Sequence, residues 1–332
     1  MKITAPSVEI LRTGLETEAT TPEEFIEKVG RTCYKSEEKI TDTSAEKFVS
    51  NLINRGHEAM IEHWNLIFRF KHYADFDRFM ESLHSMESEG YQFKLRVTDD
   101  ETDEGERRCI ISGNMRAWRD YIKAWVDECD FIPYPLFSII RDYPIFFPEY
   151  QSMIPETSTT SCMTPISVSE LTESERQVHQ DVTVKFVCDR GVSHEIVRHR
   201  VASFAQESTR YCNYSKAKFG NEITVVRPSW CVKDTEFYRA WVAGCADAEK
   251  VYFTLINMGC SPQEARSVLP NSLKTEIIVT MNLDGWDHFF NLRCASSAHP
   301  DMQEVAGMAE YLFDLEVYAP THEVDEDDLP QD

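Results

Sequence analysis

Residues 192–214, VSHEIVRHRVASFAQESTRYCNY, combine three arginines with histidine, hydroxyl and amide side chains. Apolar side chains within the stretch can anchor it to a core. The whole chain has 57 acidic and 34 basic residues, so this cluster is a local excess of positive charge. Its polar members are Arg198, His199, Arg200, Ser203, Gln206, Ser208 and Arg210. Because arginine forks match oxyanions and neutral donors match carbonyl groups, the stretch predicts a binding site for an anionic small molecule.

Size and composition predict an ordinary soluble globular protein. With 332 residues, 42% of them hydrophobic, the chain can bury a large core in one or two domains. No apolar run approaches the roughly 20 residues of a bilayer helix, and the start MKITAPSVEI lacks the order of a signal peptide. We therefore expect a cytoplasmic protein with no membrane partner.

Charge and cysteine content exclude two further classes. The net charge of −23 opposes nucleic-acid binding, which needs a broad basic surface. The ten cysteines form no CxxC pair, which predicts reduced thiols without disulfides or structural zinc. The chain also lacks GxGxxG and GxxxxGK[ST], so neither a Rossmann dinucleotide site nor a P-loop is predicted.

Hydrophobic periodicity predicts helices mixed with a few, mostly non-consecutive strands, which indicates an α+β fold. Ser193 is the predicted N-cap of a short helix that carries Glu195, and Ser261 with Glu264 forms a predicted capping box. The other predicted helices are 22–34, 42–56, 115–126, 234–258, 284–293 and 300–318, and the predicted strands are 64–70, 108–111, 182–187 and 277–283.

We interpret residues 1–321 as one catalytic domain. Within it, the composition of about 72–180 differs from that of the rest. This segment contains the acidic run DDETDEGE and the proline-rich PYPLFSIIRDYPIFFPEY, and outside 108–126 it is predicted to be irregular or briefly helical. We interpret it as an insertion whose first part joins the core sheet and whose later part covers the outside. Residues 322–332 carry six acids and form a predicted disordered tail.

Metal chemistry is a poor match to the histidines. In HEIVRH, His194 and His199 are five apart, about 140° around a helix, so they cannot share one metal from one face. The segment HEAMIEH at 57–63 fails similarly.

For the arginines, the alternative to an anion site is a surface salt-bridge network. His199 alone is equally compatible with a structural role, and for Cys212 a packed thiol is favoured over a nucleophile.

Arg293, in HFFNLRCASSAH, lies in an otherwise apolar predicted helix. Burial of an unpaired guanidinium is costly, so it needs an anion or the polar edge of a ligand. The alternative is an internal partner such as Asp287 or Asp301, and spacing alone leaves both open.

RHRVASFAQESTRY at 198–211 matches the RHR-x7-S signature of flavin-dependent thymidylate synthases. GHEAMIEH at 56–63, QEARSVLP at 263–270 and NLRCASSAH at 291–299 resemble further segments of that family, in the family's order. The resemblance covers roughly 20–71 and 182–318. It implies a small, mostly antiparallel sheet packed with helices.

The resemblance also implies reductive methylation of dUMP to dTMP, with methylenetetrahydrofolate as carbon donor and reduced FAD, recharged by NADPH, as hydride donor. It implies a homotetramer with shared active sites and no cysteine nucleophile. A different class of function is a catalytically silent nucleotide-binding, flavin-binding or assembly protein of the same fold.

The resemblance assigns Arg293 to catalysis, where it stabilises charge on the uracil ring. It implies that dUMP is bound by Glu195, Arg198, Gln206, Glu207, Ser208, Arg210, Arg266 and Arg293. It places FAD against His57, Ala59, Glu62, Arg198, His199, Arg200, Gln206, Asn282 and His288.

The sequence departs from the family at several of these positions. Ala59 replaces a frequent threonine or serine, and Gln206 replaces a common glutamate. Glu195 stands where glutamine is frequent, and His288 where some members have asparagine. His299 is offset by two residues from the family's histidine.

Overall fold

The computed structural model describes residues 1–16, 20–101, 105, 107–155 and 161–318. The described strands are β1 (Lys2–Thr4), β2 (Ser7–Arg12), β3 (Asn65–Phe70), β4 (Leu95–Glu101), β5 (Arg107–Asn114), β6 (Met163–Pro165), β7 (Asp181–Asp189), β8 (Ser203–Gln206), β9 (Thr224–Val226) and β10 (Lys274–Asn282). The α-helices are α1 (Pro22–Tyr34), α2 (Ala45–Asn54), α3 (Tyr73–Ser88), α4 (Met115–Cys129), α5 (Phe137–Asp142), α6 (Glu173–His179), α7 (Arg190–Ile196), α8 (Glu236–Asn257), α9 (Pro262–Ala265), α10 (Leu283–Arg293) and α11 (Pro300–Glu316).

The first sheet has the order β2-β7-β10-β8, and each neighbouring pair is antiparallel. Its two central strands are almost entirely buried, and Val184 and Phe186 of β7 pack with Trp286 of α10 and Phe313 of α11 in one core. Burying each such side chain stabilises the fold by about 1.5–3 kcal/mol. This sheet holds the predicted strands 182–187 and 277–283, both confirmed: β7 is longer at both ends, and β10 begins three residues earlier and ends one residue earlier than predicted.

The second sheet has the order β4-β5-β3-β6, also antiparallel. Both sheet neighbours of β3 are strands of the predicted insertion: Leu66 pairs with Gly113, and Phe68 pairs with Pro165. Strands from both parts of the insertion, β4 and β5 from the first part and β6 from the later part, therefore build this second sheet with β3. A short parallel pair, β1 with β9, completes the α+β architecture, which confirms the predicted fold class.

The insertion is more regular and more deeply buried than predicted. The expectation of irregular chain is wrong at α3, a 16-residue helix with Phe76, Phe79 and Leu83 buried at helical spacing. The later part does not merely cover the outside, because Ile139 and Phe147 are fully buried in the same core as residues of α1 and α2. The predicted disordered tail lies outside the described residues.

The N-cap predicted at Ser193 is wrong. Helix α7 begins earlier, because the Asp189 carboxylate accepts a hydrogen bond from the Val192 amide at 2.7 Å and caps it. The Ser193 hydroxyl instead donates to the Arg190 carbonyl at 3.0 Å. The capping box at Ser261 and Glu264 is confirmed.

Two fully buried histidines form hydrogen bonds to hydroxyl groups of strands. His63 Nδ1 lies 2.7 Å from the Thr280 hydroxyl, which links the segment before β3 to the first sheet. His179 lies 2.8 Å from the Ser112 hydroxyl and 2.9 Å from the Thr98 hydroxyl, which links α6 to the second sheet. Burial lowers the pKa of each to about 4, so both are neutral at neutral pH.

Acidification is expected to destabilise the protein before its carboxylates titrate. Below pH 6.5 the unfolded chain protonates histidines that stay neutral in the fold, so the free energy of unfolding falls with pH. His179→Gln should reduce the slope of that fall between pH 6.5 and 5 by about 1 kcal/mol per pH unit. Urea unfolding at several pH values measures it, with exposed His84→Gln as control. An unchanged slope in His179→Gln would contradict the assignment.

Candidate active site

The RHR stretch is a loop between two anchored elements. Val192 and Ile196 bury one face of α7 in the core, and β8 pairs with β10 through Phe204 opposite Val279. The intervening turn therefore has fixed ends. Within it, Arg198 and Arg200 are exposed, while His199 between them is 5% exposed.

Arg293, at the C-terminal end of α10, is the centre of a hydrogen-bonded cluster. Its Nε donates to His199 Nε2 at 2.8 Å. Its Nη1 lies 2.7 Å from the Glu195 carboxylate, and its Nη2 donates to the Glu195 carbonyl oxygen at 3.1 Å. The internal partner of Arg293 is thus Glu195, and the alternatives Asp287 and Asp301 are wrong. Those two carboxylates instead accept from the hydroxyls of Tyr318 and Ser229.

His199 is held neutral. Burial, together with the neighbouring Arg293 and His288 side chains, lowers its pKa to about 4. Because Arg293 donates to Nε2, the ring proton is on Nδ1. The ring also packs 4.8 Å from Phe289, centroid to centroid. A neutral imidazole therefore orients the guanidinium without adding charge.

A cavity of about 830 Å³ opens beside this cluster, within the size range of ligand sites. In the described part of the chain no carboxylate pairs with Arg198 or Arg200, so the salt-bridge network does not account for them. Two unpaired guanidiniums at a cavity favour an anionic ligand. The lining residues are His194, Val197, Arg198, His199, Arg200, His288, Leu292 and Arg293.

A second group of donors follows β8. Arg266, just after α9, donates from Nη1 to the Thr209 hydroxyl at 3.1 Å. Arg210 is exposed, with its guanidinium 5.7 Å from the Tyr211 ring centroid. The Ser208 amide donates to the Cys33 carbonyl at 3.1 Å, which fixes this turn against α1. Arg266 therefore contacts Thr209, which stands between Ser208 and Arg210 in the chain.

Gln206 and Glu207 have internal partners. The Gln206 amide nitrogen donates to the hydroxyls of Ser193 at 2.9 Å and Thr275 at 3.2 Å. Glu207 is buried, and Lys274 lies 3.0 Å from its carboxylate.

An ionic cluster behind Glu207 was not anticipated from the sequence. Lys274 and Lys35 both contact the carboxylate of Glu276. Burial alone would raise the pKa of Glu276, but the two lysines lower it to about 2. The alternation of Lys274 and Glu276 on one face of β10 was the available signal.

The other predicted flavin-side residues lie just before β3 and at the start of α10. His57 and Ala59 are exposed around a 3-10 turn, Glu58–His63, that precedes β3. Asn282 caps α10 by accepting from the Gly285 amide at 3.2 Å. Among the described residues no hydrogen bond or ion pair joins these three to Arg293. Glu62 is buried and ion-paired with Arg116 at 2.7 Å.

Cys212 is a packed thiol. It is 1% exposed, and burial raises its pKa to about 12, so the nucleophilic thiolate is scarce at neutral pH. All ten cysteines are free. His299 caps α11, with Nδ1 accepting from the Asp301 amide at 3.3 Å.

The antiparallel sheets packed with helices and the arginine-lined cavity define an α+β protein with a candidate anion site. More specifically, the chain belongs to the thymidylate synthase complementing protein family, Thy1, whose family model matches residues 15–78 and 174–315. The match leaves out 79–173, close to the predicted insertion. None of the described helices combines the length and apolar character needed to cross a bilayer.

Curated relatives carry the name flavin-dependent thymidylate synthase. The Pyrococcus furiosus protein is 41% identical over 119 residues, 36% of this chain and 48% of the relative. The Geobacter sulfurreducens protein is 37% identical over 132 residues, 40% of this chain and 54% of the relative. The chain spans about half the length of the curated relatives it matches.

Proposed function

We propose that this protein is a flavin-dependent thymidylate synthase that converts dUMP to dTMP, with methylenetetrahydrofolate as carbon donor and NADPH as the reductant of FAD. Family membership supports the reaction class. The observation that carries the proposal is the guanidinium of Arg293, fixed by Glu195 and His199 at the edge of the arginine-lined cavity.

The cavity residues fit an anionic flavin. Arg198 and Arg200 are unpaired in the described chain, and the rings of His199 and His288 lie 5.9 Å apart, centroid to centroid. These side chains would hold FAD, with His57, Ala59 and Asn282 contributing from the flavin side. When bound, reduced FAD supplies the hydride, and nearby cations favour its reduced, anionic ring.

Arg293 stabilises the charge that develops on dUMP. Pyrimidine C5 becomes nucleophilic as negative charge spreads over N3 and the carbonyl oxygens. A guanidinium has five N–H donors, and Glu195 and His199 occupy one on each nitrogen. One N–H on Nη1 and one on Nη2 remain for the uracil edge. Because the group is already oriented, little reorganisation is needed when the charge appears.

The second donor group holds the rest of the nucleotide. Arg210 and Arg266 are exposed arginines on either side of Thr209, suited to the phosphate of dUMP, with the Ser208 hydroxyl as a neutral donor. Gln206 and Glu207 position this turn through their internal hydrogen bonds and ion pair.

We propose that the enzyme is a homotetramer whose subunits share active sites. Within the described part of one chain no hydrogen bond or ion pair joins His57, Ala59 or Asn282 to Arg293, and Asn282 lies at the opposite end of α10, which supports this arrangement. Helix α8 and its C-terminus expose large apolar side chains, with Phe237 74% and Met258 77% exposed, as an association surface would.

Purified protein is expected to be yellow, to bleach with NADPH under anaerobic conditions, and to release tritium from dUMP labelled at C5 when methylenetetrahydrofolate is added. Absorption spectra and tritium counting measure these outcomes. Colourless protein that FAD cannot reconstitute would overturn the proposal and favour a catalytically silent assembly protein of the same fold.

A further inference from the structure

Helix α4, in the segment that the family model leaves out, holds the 3-10 turn Glu58–His63 through two ion pairs. Arg116 Nη1 lies 2.7 Å from Glu62 Oε1, and Arg119 Nη2 lies 3.2 Å from Glu58 Oε1. The arginines are three residues apart and thus on one face of the helix. The two ion pairs run in opposite order along the two segments, Arg116 with Glu62 and Arg119 with Glu58.

Glu62 connects this helix to the RHR loop. One carboxylate oxygen faces Arg116, and the other accepts from the Ser203 hydroxyl at 3.0 Å and lies 3.3 Å from Lys94 Nζ. Ser203 opens β8, three residues after Arg200. The Glu62 side chain is 9% exposed, and burying a carboxylate is costly unless such partners compensate it. One buried anion therefore ties together α4, the flavin-side turn and the start of β8.

Arg119 also links α4 to the later part of the insertion. Its side chain is 9% exposed and also pairs with Glu149 at 2.6 Å. It donates in addition to the carbonyl of Phe146, which is fully buried in the core. The face of α4 that carries Arg116 is consequently fixed by the later part of the insertion.

We infer that Arg116 is a positioning residue for FAD: it acts through Glu62 to fix the turn that carries His57 and Ala59 against the RHR loop. This inference rests on the proposed function. Arg116 itself touches neither His57 nor Arg200 by any hydrogen bond or ion pair in the described chain. Its effect on FAD is therefore transmitted by the buried carboxylate of Glu62. Because Arg116 belongs to the insertion, the insertion takes part in cofactor binding.

The test is a double-mutant cycle on the dissociation constant of FAD, titrated by fluorescence into flavin-free full-length protein. Arg116→Met and Glu62→Gln should each weaken FAD binding about tenfold, which is about 1.4 kcal/mol. The double variant should bind no more weakly than Glu62→Gln alone, because the two residues act as one unit. Arg116→Lys, which keeps the charge, should recover most of the affinity.

Lys123→Met is the matched control, since Lys123 lies on the same helix, is 62% exposed and pairs with Asp127. It should bind FAD as wild type does. If Arg116→Met fails to fold because Glu62 is left unpaired, the double variant removes both charges and is compared with Glu62→Gln instead.

The outcomes separate this inference from the proposed function. Unchanged FAD affinity in Arg116→Met, or fully additive losses in the double variant, would overturn the positioning role. If the wild-type protein binds FAD in the same experiment, the proposed function still stands. Wild-type protein that binds no FAD would overturn both.

Discussion

Arg293→Ala is expected to abolish dTMP formation while FAD remains bound. The substitution removes the two N–H donors left for the uracil edge, and the charge on N3 and the carbonyls loses its stabilising cation. Loss of one preorganised donor group of this kind lowers kcat by about 10²–10³ fold. Tritium release from labelled dUMP measures turnover, and flavin absorbance measures retained FAD.

Arg293→Ala should lower kcat by a larger factor than it changes the KM for dUMP, because the interaction with Arg293 strengthens as charge develops on the uracil ring. Arg78→Ala, at a side chain that is 74% exposed and pairs with Asp75, is the control and should leave both quantities unchanged. Unchanged turnover in Arg293→Ala would remove Arg293 from the mechanism.

Trp118→Ala is expected to lower the free energy of unfolding by about 3–5 kcal/mol. Trp118 of α4 is 0% exposed, and its Nε1 donates to the Gly113 carbonyl at 3.0 Å. Its ring meets Phe68 of β3 edge to face at 5.6 Å between centroids. The substitution thus opens a cavity where the insertion and the family-matched chain share one core. Urea unfolding followed by circular dichroism measures the loss.

Trp230→Ala serves as the control, because Trp230 is 54% exposed. Its effect should stay within about 0.5 kcal/mol, as for surface positions. A loss below about 1 kcal/mol in Trp118→Ala would show instead that the insertion is a separable attachment.

Much of the fold followed from local patterns in the sequence. Hydrophobic periodicity predicted the strands β7 and β10 and the helices α1, α4, α8 and α11. At α3 the apolar positions 76, 79, 80, 83 and 86 had helical spacing, but the charged residues between them obscured it. At α7, Asp189 and Ser193 are both favoured caps, and local propensity could not rank them.

The motifs located the candidate site, but its connections were beyond sequence reasoning. Arg293 and Glu195 are 98 residues apart, and any of several nearby carboxylates was an equal candidate on spacing alone. The ion pair between Arg116 and Glu62 depends on how the second sheet packs, which no local pattern encodes. Residue roles toward dUMP and FAD remain predictions for the experiments above.

The arrangement of β3 has a consequence for the order in which the chain folds. Its partners β5 and β6 both leave the ribosome before β7, whereas β2 must wait for β7 to pair. Strands that are far apart in the sequence pair late, because closing the long loop between them costs conformational entropy before the strands can bond. We therefore expect the second sheet to assemble during synthesis, so that the nascent insertion becomes the template on which the sheet beside the RHR loop is completed.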